Sequence, residues 1–150
     1  MVRQINMQRK IIATPIDEKK INKALAEISD LLEEMDHNGS IRKKAEIAAT
    51  FRDWKKEELV HLFEKSGHAE RIMVIDVVAF GIQNYVSPVF QKALVDMYTL
   101  TTTEEKPENT LHVKQRFRIQ EQVDTLSRQK INIDPAINEA MDAYRAKFFR

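Results

Sequence analysis

The 150-residue sequence contains no cysteine, which excludes a disulfide framework, a thiolate zinc site and an iron–sulfur cluster. Glycine is scarce too. Three glycines are too few for a glycine-rich phosphate loop, and neither GxGxxG nor a GxxxxGKS/T pattern occurs. No apolar run approaches the roughly 20 residues that span a bilayer. The first ten residues are polar and basic, without the apolar stretch of a secretory signal. An excess of one charge is also missing: 24 Lys+Arg meet 23 Asp+Glu, so overall charge selects no partner. Together these absences give the expectation of a soluble, cytoplasmic protein with no cofactor, no metal and no membrane partner.

Hydrophobic residues at 43% and charged residues at 31% suit a folded domain rather than a disordered chain. The length is that of one domain, able to bury about two-thirds of its surface. Residues 1–16 read as a basic arm or short strand, with Arg3, Arg9 and Lys10 before Ile11 and Ile12. Residues 17–36 read as a helix in which Ile21, Leu25, Ile28, Leu32 and Met35 form a heptad seam. Such a seam packs either on the chain's own core or on a second copy, and self-association through these five residues is the expectation carried forward. Asn38-Gly39-Ser40 reads as a helix stop, with Ser40 capping a second helix from Ile41 to about Lys65. Trp54 is expected in the core of that region.

Residues 72–82 are almost continuously apolar, broken by Asp76 and Gly81. The reading is an extended piece over 72–75, then a helix capped by Asp76 and running to about Val86. Ser87-Pro88 starts another helix, because Ser caps and Pro suits the first helical position. Residues 101–110 read as a linker loop, and residues 17–100 as the helical core before it. Leu111, Val113, Phe117 and Ile119 alternate with His112, Lys114, Arg116 and Arg118, a strand pattern that Gln115 interrupts and that a helix fits nearly as well. Asp134-Pro135 opens a last helix in the basic C-terminal segment, 111–150. The expected fold class is mainly α: one compact helical domain with at most minor short strands.

Catalytic constellations are lacking. His61 and His68 have no HExxH arrangement, and His37 and His112 read as surface or capping residues. Glu33-Glu34 and Glu57-Glu58 read as solvated helix faces. A non-enzymatic protein is expected. The positive signal is basic clustering: Arg42, Lys43, Lys44, Arg52, Lys55 and Lys56 give residues 41–56 a local net charge of +4, while residues 17–36 carry −4. Lys114, Arg116 and Arg118 make a second patch if their segment is a strand. Cations held in register by structured elements suit a phosphate backbone.

Three segments carry a resemblance: Asn38-Gly39-Ser40-Ile41, Phe51-Arg52-Asp53-Trp54 and Val86-Ser87-Pro88-Val89-Phe90. Over about residues 38–98 they are similar to the KilA-N domain of phage and large DNA viruses, which shows an (N/D)G-x-I turn, an FxDW-like segment and W-x-SP-x-F. Tyr85 stands where that family usually has Trp. The resemblance implies duplex DNA binding by a transcriptional or replicative regulator of a phage or mobile element. A ribbon-helix-helix arrangement, with residues 8–15 as the ribbon, is a second DNA-binding layout. The competing class is a non-catalytic helical protein–protein interaction module, an assembly component or adaptor.

Overall fold

Caps and apolar spacing set the helices, and the structure, a computed structural model, describes residues 16–34, 37–104 and 110–147. Among these residues there are seven helices and no strand: α1 (Glu18–Glu34), α2 (His37–Phe51), α3 (Lys56–Lys65), α4 (His68–Asn84), α5 (Pro88–Thr103), α6 (Leu111–Arg128) and α7 (Pro135–Ala146). The mainly α reading is therefore correct. Both Pro-marked starts behave as expected. The Val89 amide donates to Ser87 Oγ at 3.3 Å, and the Ala136 amide donates to Asp134 Oδ1 at 2.9 Å. Among the described residues no helix is long and apolar enough to cross a membrane.

Helix α4 is the axis of the packing. Its apolar residues are spread around the circumference, interrupted by Arg71 and Asp76, and such a helix is stable only when covered on most sides. Helices α1, α2, α5 and α6 cover it, with α3 and α7 laid against α5. The core that results holds Phe51, Phe63 and Phe90 together with Ile75, Val78, Leu94, Ile119 and Leu126.

Several segments differ from the sequence reading, each for a physical reason. Residues 72–75 are helical rather than extended, and Asp76 lies inside α4 instead of capping it. Complete burial removes the amphipathic period that would have marked a helix there. Residues 37–40 belong to α2, so Asn38-Gly39-Ser40 is not a stop and Ser40 is not a cap. The expected helix from Ile41 to Lys65 is broken between α2 and α3. There the Trp54 amide donates to Phe51 O at 3.0 Å and the two rings meet at 4.6 Å, sending Trp54 into the core as expected. Helix α5 continues to Thr103, which shortens the expected linker; residues 105–109 lie outside the described residues.

Residues 111–119 form the first half of α6, not a strand. Gln115, Ile119, Val123 and Leu126 face inward at helical spacing, while Leu111 and Phe117 from the alternating set are exposed. The heptad seam of α1 also turns inward. Ile21 and Ile28 are fully buried with Ala24 and Leu31, and Leu25 and Leu32 flank them against the same core. Ile21 and Ile28 are thus spent on the chain's own core, while Leu25 and Leu32 keep a partly exposed edge. Met35 and the N-terminal arm fall outside the described residues.

The start of α3 carries a pH-dependent contribution to stability. Glu58, 8% exposed, accepts from the Lys55 amide and from Lys20 Nζ, both at 2.9 Å. Burial pushes its carboxyl up, but the Lys55 amide and then the Lys20 ammonium outweigh it and hold the group below its ordinary 4.5. A carboxyl lowered by folding stabilises the native state above its unfolded value and loses that contribution as pH falls through the folded one. Glu58→Gln keeps an acceptor for the Lys55 amide but removes the charge facing Lys20, and is expected to cost up to about 1 kcal/mol at neutral pH. It should also flatten the fall in urea stability below about pH 4.5. A variant whose acid profile parallels the parent protein's contradicts this assignment.

Candidate nucleic-acid interface

The nine basic residues expected to hold phosphates do not form one patch. Arg42, Arg52, Lys55 and Lys114 are exposed, whereas Lys43 and Lys44 are half-buried. The Arg52 guanidinium lies 4.5 Å from the centre of the Tyr85 ring, which itself stacks at 6.3 Å on Phe90. The segments 51–54 and 85–90 therefore meet in space, while residues 38–41 are helical rather than a turn. Lys56 Nζ is 2.9 Å from Asp96, whose carboxylate holds that ammonium above its ordinary range.

The C-terminal trio is dispersed by its helix. Arg116, only 6% exposed, is an internal residue: it donates to Thr101 O at 3.3 Å and to Tyr144 Oη at 2.6 Å, with its guanidinium 4.1 Å over the Tyr144 ring. Its place in a surface patch is withdrawn. Arg118 contacts Asp76, with Nε 2.9 Å from Oδ1 and an Nη2 donation of 3.2 Å to Oδ2.

The helical packing nevertheless brings one residue from each basic segment together. Lys44 of α2 and Arg118 of α6 line the same cleft of about 300 Å³, which runs over α4 and is also lined by Asp76, Gln83, Gln122, Thr125 and Gln129. Gln122 Nε2 donates to Asp76 Oδ1 at 2.9 Å, so Asp76 positions both Arg118 and Gln122. Lys44 makes no ion pair with any described residue. Lys114 lies one turn before Arg118, the spacing that places two residues on one helical face. The cleft thus offers an ammonium, carboxamides and a guanidinium paired with the Asp76 carboxylate, and the first two donate to phosphate and to base edges.

A second cleft, of about 460 Å³, was not anticipated from the sequence. Arg71 sits at its base, 6% exposed, with all five donors engaged. Nε donates to Phe63 O at 2.9 Å, Nη1 to Glu104 Oε1 at 2.8 Å and Gln115 Oε1 at 3.0 Å, and Nη2 to Glu64 O at 3.2 Å and Glu104 Oε2 at 3.4 Å. Gln115 in turn donates from Nε2 to His68 Nδ1 at 3.2 Å, and His112 Nε2 stands 3.6 Å from Glu104. Burial, followed by the nearby charges of Lys114, Arg71 and His112, pushes the His68 imidazole below its ordinary 6.5. His68 and His112 are thus half-buried members of a polar cluster, not capping residues at the surface. One sequence signal for it exists, a lone arginine directly before the apolar run of residues 72–82. Among the described residues no group of three or more His, Cys, Asp or Glu is placed to hold a metal ion. No family model, no curated protein and no solved structure matches this chain.

Proposed function

We propose that this protein is a non-enzymatic DNA-binding regulator that seats a duplex phosphate backbone along the cleft over α4. The observation that carries the reading is the convergence of Lys44 and Arg118 on one cleft with three glutamines, although their segments are far apart in sequence. Lys114 on α6 and Arg42 on α2 are exposed cations on the same two helices. The resemblance to KilA-N supports duplex DNA as the ligand and a role in a phage or mobile element.

Fluorescence anisotropy with a labelled duplex across a salt series tests it. Each phosphate neutralised contributes about 0.9 to the slope of log affinity against log salt, so Lys44→Glu with Lys114→Glu should lower that slope by about two. Arg145→Glu on α7, away from the cleft, should leave the slope unchanged. Absence of duplex binding at low salt, or a double variant with the parent slope, rejects the reading. A helical interaction module is the second reading, favoured by Ile41 at 65% and Phe117 at 61% exposure. Association through such apolar residues changes little with salt, which separates the two.

A further inference from the structure

We propose that His68, Gln115 and Arg71 form a pH-operated latch, in which protonation of His68 releases the first turns of α6 from α4. The geometry leaves the cluster no second solution. Arg71 has donors only, so the atom of Gln115 that faces it must be the carbonyl Oε1, at 3.0 Å. The Gln115 amide nitrogen is therefore bound to face His68, and it donates to Nδ1 at 3.2 Å. An imidazole that accepts at Nδ1 carries its proton on Nε2 and is neutral. Adding a proton to Nδ1 sets one N–H against another. Turning the carboxamide over moves the same conflict to Arg71.

No neighbour among the described residues resolves the conflict. Lys114 and His112 on α6 and Arg71 on α4 all face the ring and oppose a second positive charge. Glu104, at the end of α5, is committed to Arg71 at 2.8 Å. Ser66, in the turn before α4, donates to Leu62 O at 2.6 Å, and the Glu70 side chain folds over Gly67. Because folding lowers the His68 value, the latch is closed at neutral pH and opens as pH falls below 6.5 through the folded value. Arg71 keeps its bonds to Phe63 O and Glu64 O throughout, so opening is local to the α4–α6 contact.

Hydrogen-exchange protection factors for amides 111–119, read beside the His68 ring signals in NMR, test the latch. Protection is expected to fall about tenfold or more as pH is lowered from neutral through the His68 titration that the ring signals report. His68→Asn keeps an acceptor where Nδ1 stands and cannot be protonated, so its protection should stay level over the same range. Gln115→Glu gives a protonated ring an acceptor while still receiving Arg71. It should raise the His68 titration and also abolish the acid loss. Parent amides that keep their protection through His68 titration, or either variant losing protection as the parent does, overturn the proposal.

Discussion

Arg71→Met is expected to destabilise the fold by about 3–5 kcal/mol, the range for removing one partner of a buried ion pair. The methionine fills much of the same space and removes five donated hydrogen bonds. Two of the acceptors are the backbone carbonyls of Phe63 and Glu64, at the end of α3. The last carbonyls of a helix have no partner within the helix; here Arg71 of the following helix supplies one to Glu64 O and joins the Ser66 amide, at 3.1 Å, on Phe63 O. The others are the Glu104 carboxylate and the Gln115 carboxamide, which join the end of α5 to the start of α6. One guanidinium therefore ties four helices together, and its plane also lies 4.5 Å over the Phe63 ring. Arg71→Lys preserves the charge but lacks the planar fork, and should still lose a large part of that stability. Urea unfolding at neutral pH measures both. A loss below about 1 kcal/mol for Arg71→Met would reduce the network to a surface ion pair.

The fold was legible where local chemistry decides it. Ser87-Pro88 and Asp134-Pro135 start helices for reasons contained in a few residues, and both starts are found. The spacing within α1 gave its inward face, but spacing alone does not say which surface a seam meets; Ile21 and Ile28 meet the chain's own core. Legibility failed where tertiary context overrides pattern. Helix α4 is buried on most sides, so its interruptions held more information than its periodicity: Asp76 receives Arg118 and Gln122, and Gly81 receives a phenyl ring. In α6 the polar residues Gln115 and Arg116 turn inward because partners wait there, and an outward-facing rule for polar side chains then makes a helix look like a strand. The candidate cleft was half legible. Lys44 and Arg118 were both singled out, but their meeting depends on how α2 and α6 cross α4.

Phe90→Ala is expected to cost about 3–5 kcal/mol, since it empties a buried site that the surrounding helices cannot collapse to fill. Phe90 is fully buried at the start of α5, with its ring edge set on Gly81 of α4. A methyl group at Gly81 would stand 3.0 Å from Phe90 Cζ and 3.1 Å from Cε1 and Cε2, closer than carbon atoms pack. The glycine therefore serves the packing at the expense of its helix propensity, which is about 1 kcal/mol worse than that of alanine. Gly81→Ala in the parent protein should destabilise by about 1–3 kcal/mol through overpacking, because Tyr85 stacks on the same ring and limits its retreat. With Phe90→Ala present the obstruction is gone, the added methyl enters the cavity, and Gly81→Ala should become neutral or stabilising. The coupling energy of this double-mutant cycle is then about 1 kcal/mol or more, whereas non-contacting sites add to within about 0.5. Thermal or urea unfolding of the four proteins reads it directly. Additive effects would show that the α4–α5 contact does not depend on the absence of a side chain at Gly81.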